Sequence, residues 1–407
     1  MMDSLALHLP ALLVAIPLFT AFLIPLAGRA GDTARSALVL LGAALTSLAG
    51  LALAARVFAR GTVLYVFGAA APHAAIPMDS GGIPIRIIFQ VDALGALMVV
   101  IASLSSLAIA LYSLAAESRQ SGKDGFYSML FLLVTGVLGM VSTGDLFNFF
   151  VFLEISSLAG AALVAYRIDK GEAVEGGLKY ALLSTVGALS VLMAIGILFA
   201  QYNALNIATV ASRLRFGSLD MIALVLLAVP LAMKCGAVPM HFWTPDTYTT
   251  APSSITALLV VSSQASLYGL FRILFTLYGD LLRFNWSAFG WFLVVLGVLS
   301  AFVGVTMAIP QKDVKRLMAY HSVSQTGYML LGAGVGLAVL GKLDVLDAYG
   351  KTAIAGAIFH MFNNALYKGL LFLTAGAVFL RAGTRNLNRL GGLGHAMPWT
   401  MVFFMIG

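Results

Sequence analysis

The sequence predicts an all-α polytopic membrane protein, and three observations carry that prediction. Of its 407 residues, 60% are hydrophobic and only 10% charged, far more apolar surface than a water-soluble core of this length can use. The mean hydropathy is +0.97. The apolar residues also fall in repeated runs of about membrane-crossing length, joined by short polar connections.

Apolar length places spans at 5–27, 36–55, 93–116, 126–144, 146–166, 180–202, 219–240, 253–276, 287–309, 317–341 and 352–380. A twelfth begins near Ala396 and is cut off at Gly407 in mid-run, so the chain reads as truncated within that helix. The first run, from Leu5 to Ala27, has no basic segment ahead of it and no small-residue cleavage site, so it reads as a span and not a signal peptide. The one long connection, Val57 to Val91, contains G-A-A-A-P-H-A-A-I-P and S-G-G-I-P. It is open to two readings, a small β-like cap or a solvated loop. All other connections are short, which argues for a single membrane domain. A slight excess of basic residues at Arg29, Arg119, Arg167, Lys312 and Arg381 marks one face as cytoplasmic.

The seventh run is unlike the rest. It reads M-K-C-G-A-V-P-M-H-F-W-T-P-D-T-Y-T-T-A-P from Met233 to Pro252, with Lys234 deep inside an apolar stretch. Charge at that depth is costly and by default marks an ion path. Pro239 cannot donate to the carbonyl of Cys235 and crowds it, so the helix should break just past Lys234. Carbonyls freed at such a break would favour an ammonium.

Other ionisable groups lie inside spans. Glu154 sits mid-way along the fifth, in F-V-F-L-E-I-S-S-L, and His360, Asn364 and Lys368 recur at i, i+4 and i+8 in the eleventh. That spacing stacks the three down one helix face as a polar stripe. A buried lysine near a movable carboxylate can load and release a proton, and histidine suits an intermediate station. Ser156, Ser157, Asn363, Tyr320 and Gln325 could order water between stations. Plainer readings compete with these. Glu154 and Lys234 could form a purely structural ion pair. His321, beside the basic K-D-V-K-R loop, reads first as an interfacial histidine. Asp145 reads first as a helix cap, and His241 and Asp246 as structural flanks of a turn.

Composition also excludes classes. The net charge of +7 forms no basic block, which argues against nucleic acid and for anionic lipid headgroups. The lone Cys235 cannot build an iron–sulfur site or a disulfide framework, and no phosphate-binding or dinucleotide loop is present. No metal ligand set and no cofactor site are expected in this chain.

At this point the motifs resemble the antiporter-like membrane subunits shared by Mrp-type cation/proton antiporters, respiratory complex I and membrane-bound hydrogenases. The most specific pieces are G-D-L-F-N-F-F-V-F-L-E, P-M-H-F-W-T-P-D-T-Y-T-T-A-P, K-D-V-K-R-L-M-A-Y-H-S-V-S-Q-T-G-Y and N-A-L-Y-K-G-L-L-F-L, in that order. The wording F-N-F-F-V-F-L-E-I-S-S-L looks closer to the Mrp and hydrogenase branch. The resemblance implies about fourteen helices with two inverted five-helix bundles, each holding a broken helix. On this chain it implies N-terminal helices and a loop over 1–125, a first bundle over 126–276, and an incomplete second bundle over 287–407. It further implies that Glu154 pairs with Lys234 and that His360 and Lys368 form the central relay.

Two positions depart from the family pattern. Gln264 stands where a lysine or histidine is common, and Asn364 where many members have a second histidine. Neither titrates, so the route from Lys234 toward Lys368 should lean on water or carry a different ion. The twelfth-helix lysine or glutamate of the family would lie past Gly407. The function expected is proton translocation, with Na⁺/H⁺ exchange as a variant, inside a multi-subunit assembly of the prokaryotic inner membrane. Glu154, Lys234, His360 and Lys368 would carry it, with Gln264, Asn364, His321 and Ser157 in support. A redox parent complex, quinone reductase or hydrogenase, would pass its electrons elsewhere. The rival readings are a secondary transporter of an organic solute and a non-translocating structural subunit.

Overall fold

The computed structural model describes residues 7–68, 87–117, 121–280 and 287–407. The Gly/Pro-rich middle of the long connection and Arg119 of the basic face lie outside them. Helices dominate: α1 (Leu9–Arg29), α2 (Asp32–Arg60), α3 (Ala93–Ala116), α4 (Lys123–Ser142), α5 (Leu146–Val164), α6 (Gly171–Tyr202), α7 (Ile207–Arg213) and α8 (Ser218–Lys234). After a 3₁₀ turn at Met240–Phe242 come α9 (Trp243–Thr250), α10 (Ser253–Phe271), α11 (Ser287–Ala308), α12 (Val314–Ala338), α13 (Lys351–Ala382) and α14 (Pro398–Ile406). Between α2 and α3, β1 (Val63–Val66) pairs antiparallel with β2 (Ile88–Val91), with Val63 opposite Val91. The ends of the long connection thus take the β form.

Among the described residues nine helices are long and apolar enough to cross a membrane. Their exposed residues explain the composition. On α1 these are Phe19, Phe22, Leu23 and Leu26, and on α11 Trp291, Phe292, Val295, Val298, Leu299 and Phe302. Spacings of three and four put each set on one stripe, and an apolar stripe turned outward faces lipid. The chain is an integral multi-pass membrane protein.

The chain separates into two compact units, neither continuous in sequence. The first comprises 1–111, 120–159 and 184–230. Here α1 packs against α2 and α4. Arg35, only 8% exposed, bonds Asp124 at 2.5 Å and Asp32 at 2.8 Å, which keeps its buried charge compensated. Asp145 caps α5 by accepting from the amide of Asn148 at 2.7 Å, the role expected of it. The backbone of Gly144 bonds Ile88 on one side and Ile207 on the other, stitching the hairpin to the start of α7.

The second unit comprises 112–119, 160–183 and 231–407. Its tightest seam joins α11 to α12. Gly290, Gly297 and Gly304 recur every seven residues on α11, against Gly334, Gly327 and Ser324 on α12. A β-carbon on Gly297 would lie 2.7 Å from the carbonyl of Gly327, so only glycine lets the backbones approach this closely. At its start α12 is capped by Asp313, which accepts from the amides of Lys315 and Arg316 and pairs with Arg385 at 3.1 Å. The side of α12 away from α11 packs on α13: a β-carbon on Gly332 would meet the carbonyl of Ala353. The small-residue seam therefore fixes which face of α12 meets α13.

Candidate ion-translocation site

The seventh membrane run ends as a helix at Lys234. Its 17 residues rise only about 26 Å, short of a bilayer core of about 30 Å. The expected span of 219–240 therefore runs past the true helix end, because the break itself is apolar and hydropathy does not register it. Gly236 makes the stop. With φ at +85° it takes the left-handed conformation. Its amide bonds the carbonyl of Met233, and that of Ala237 bonds Ala232. This pair of bonds is a Schellman closure, which favours glycine at that position. Pro239 lies three residues further on, at the start of the 3₁₀ turn.

The carbonyls at this break have protein partners. Trp243 Nε1 donates to Met233 at 2.9 Å, and Thr326 Oγ1 donates to Cys235 at 2.8 Å. The amide of Val238 donates to Ser300 Oγ at 3.0 Å. Lys234 itself is 5% exposed, and its ammonium lies 5.5 Å from the centroid of the Tyr180 ring, a cation–π contact. Tyr180 begins a run of ring contacts, to Trp243 at 5.0 Å, then Tyr248 at 5.9 Å, then Phe372 at 5.8 Å. Phe372 stands one turn from Lys368 on α13. Asp246 is held between Lys179 at 2.8 Å and Arg316 at 3.3 Å, an ion-pair hub across α6, α9 and α12.

The residues expected to form the central relay are joined by a chain of hydrogen bonds between α12 and α13. Lys368, fully buried, places Nζ 2.7 Å from His321 Nδ1 and donates to the Met318 carbonyl at 3.1 Å. His321 Nε2 meets the Gln325 amide nitrogen at 3.3 Å. Gln325 Oε1 in turn faces His360 Nε2 at 2.7 Å and accepts from the Tyr367 hydroxyl at 2.6 Å. His360 and Lys368 are thus linked through α12, not down the stripe of their own helix. Asn364, between them, is 1% exposed and leaves Oδ1 without a protein partner.

His321, expected at the interface, instead lies two turns inside α12, which begins at Val314, and touches Lys368 directly. The signal for this was present in the sequence: His321 and Gln325 stand at i and i+4, matching the spacing of the α13 stripe. Gln264 is 1% exposed on α10, and its Oε1 has no protein partner. Thr244 Oγ1 and Ser254 Oγ, after the break, are also buried and unpartnered. Glu154 and Ser157 lie on α5 in the first unit. Glu154 is half-buried, and Ser157 Oγ donates back to Leu153 at 2.6 Å.

A polar pocket of about 110 Å³, lined in part by Glu117, Arg167, Lys315, Arg385 and Ser253, completes the second unit. Lys315 is 2% exposed and donates to the Ala251 carbonyl at 2.6 Å. Burial pushes the Glu117 carboxyl above its ordinary range, and Arg167, 3.5 Å away, offsets part of that. Sequence reasoning passed over Glu117 and Lys315, which sit at helix ends among ordinary loop charges.

Residues 143–407 match the profile of the family described as NADH:quinone oxidoreductase/Mrp antiporter, TM. The chain belongs to that family. It is 33% identical over 406 residues to an NADH-quinone oxidoreductase subunit of Desulforudis audaxviator, covering 98% of this chain and 75% of the relative. It is 31% identical over 328 residues to a Na(+)/H(+) antiporter subunit of Alkalihalophilus pseudofirmus, covering 79% of this chain and 63% of the relative. Among solved structures, it resembles a chain of the membrane-bound sulfane sulfur reductase, an archaeal respiratory membrane complex, with a TM-score of 0.82 and 28% identity. That match covers 98% of this chain and 77% of the other. Family members named as quinone-oxidoreductase, antiporter and hydrogenase subunits all match.

Proposed function

We propose that this chain is a proton-translocating subunit of a larger membrane assembly, with Glu154 and Lys234 as charged stations and Lys368, His321 and His360 as the central relay. The observation that carries the reading is the hydrogen-bonded run Lys368–His321–Gln325–His360, in which three titratable side chains between α12 and α13 are joined through one glutamine. Buried ionisable groups are costly, and holding them within hydrogen-bond reach of one another is what proton transfer requires. Lys234 reaches this relay by way of water. Thr244, Ser254, Gln264 and Asn364 each hold a buried oxygen without a protein partner, and a water needs such partners to be held in place. The polar pocket beside Lys315 gives the route its wet end. Exchange of H⁺ for Na⁺ fits the name of the antiporter relative. Any redox chemistry belongs to partner subunits.

Substituting Lys234 by alanine in the intact complex tests this reading. We expect the complex to assemble and its pH-gradient formation in membrane vesicles to fall by at least about tenfold. Normal assembly with an unchanged gradient would overturn the reading. Loss of assembly alone would favour a structural subunit, and uptake of a labelled organic solute a solute transporter.

A further inference from the structure

We propose that Gln325 is an orientation switch, whose side-chain amide turns over when Lys368 gains or loses its proton and so sets which nitrogen of His360 carries hydrogen. The proposal rests on the relay reading above. It follows from donor and acceptor accounting around one side chain. Gln325 presents its nitrogen to His321 Nε2 at 3.3 Å and its oxygen to both His360 Nε2 at 2.7 Å and the Tyr367 hydroxyl at 2.6 Å. In this arrangement the amide donates to His321 Nε2, so the proton of neutral His321 is on Nδ1. That Nδ1–H points at Lys368 Nζ, 2.7 Å away, and needs a lone pair there. A neutral amine has one and an ammonium has none, so the arrangement fits uncharged Lys368.

Protonating Lys368 reverses each bond in turn. As a proton reaches His321 Nε2, the ring gives its Nδ1 proton to Lys368 Nζ, so that the ammonium donates to His321 Nδ1 and to the Met318 carbonyl while the His321 hydrogen is on Nε2. Nε2–H then needs an acceptor, which Gln325 supplies only by turning its oxygen that way. The amide nitrogen now donates to His360 Nε2 and to the Tyr367 oxygen, and His360, having released its Nε2 proton to water and taken one up from water on Nδ1, carries its hydrogen there. The two ends of an amide are alike in size, so the fork fits the same space either way round. The two states differ by one proton, held on Lys368, while each imidazole stays neutral and only changes tautomer. Glutamine carries no proton across. It passes on the charge state of Lys368, which lets His360 take up or release a proton on its Nδ1 side only in step with the lysine.

The test uses the intact complex labelled with ¹⁵N-histidine, His360 being identified by the signal lost in His360→Gln. Tautomers are read by NMR while pH is swept through the titration of Lys368. Besides Lys368, the titratable and charged groups on the packed elements are Lys315, Arg316, Tyr320, His321 and Tyr328 on α12, Lys351, His360, Tyr367 and Arg381 on α13, Asp246 and Tyr248 on α9 and Tyr268 on α10; α11 and α14 have none. As pH rises, we expect the proton of His321 to move from Nε2 to Nδ1 and that of His360 from Nδ1 to Nε2, with one shared midpoint. In Gln325→Met, His360 should stop following His321, and transport should fall at least tenfold with assembly unchanged. Separate midpoints, or a fixed His360 tautomer in the unmodified complex, would overturn the switch even if Gln325→Met does not assemble. The relay reading fails separately, if Lys368→Met transports at the normal rate.

Discussion

Lys368 and His321 meet across 2.7 Å, Nζ to Nδ1, from two different helices of one compact unit. Lys368 has no solvent exposure, and its other bond is to the Met318 carbonyl. A lysine that deep gains most from a partner that can both accept and give a proton, and an imidazole nitrogen does both.

Replacing His321 by phenylalanine keeps the ring volume and removes both nitrogens. We expect the complex to assemble and its transport rate to fall by about a hundredfold, the lower end of what a positioned proton-transfer group contributes, if His321 passes protons as proposed. Transport at the normal rate would return His321 to an interfacial role.

The α11–α12 seam sets the face that α12 turns toward α13. A β-carbon on Gly327 would collide with the backbone of Ala301 and the carbonyl of Gly297, atoms that cannot rotate away. Overpacking of this kind costs about 1–3 kcal/mol. Gly327→Ala should therefore lower the thermal midpoint of the detergent-solubilised complex by several degrees. Transport should weaken with it, because the α12–α13 bonds depend on that seam. An unchanged midpoint would show that the helices are free to slide.

Asp145 gives a prediction with a sign. Burial raises its carboxyl from 3.8 to about 6, against the lowering effect of the Asn148 and Phe147 amides. A carboxyl with a higher pKa in the folded state binds its proton more tightly when folded. Its penalty is absent well below pH 4 and grows as pH rises through about 6, so this group makes stability fall with rising pH. Asparagine caps a helix as well and carries no charge. Asp145→Asn should stabilise the protein by on the order of 1–3 kcal/mol at pH 8 and change little at pH 4. Melting curves at the two pH values check this, and equal shifts at both would refute it.

The membrane class and most of the helices could be read from the sequence because hydropathy reports burial in lipid directly. Ser287–Ala308 matches the expected 287–309 for that reason. Lys234 and its break were legible because a charge and a proline interrupt an apolar run. The helix end was legible as well, since the break was expected just past Lys234 and the helix stops there. Its agent was not, because the stop is a backbone property of Gly236, and Pro239 lies three residues further on. The hydrogen-bonded run from Lys368 to His360 was half legible. His360 and Lys368 share one helix, so spacing alone places them on one face. Their connection through His321 and Gln325 depends on how α12 and α13 pack. The glycines at 290, 297 and 304 encode that packing as a seven-residue repeat, a pattern that polarity alone does not bring out.

The most direct measurement is pH-gradient formation by membrane vesicles carrying the assembled complex with Lys368→Met. Methionine nearly matches the lysine in length and leaves the apolar packing in place, and it can hold no proton. The account predicts normal assembly and a gradient reduced to the level of vesicles lacking the complex. A gradient at the unmodified rate, with the variant chain present in full amount, would contradict it.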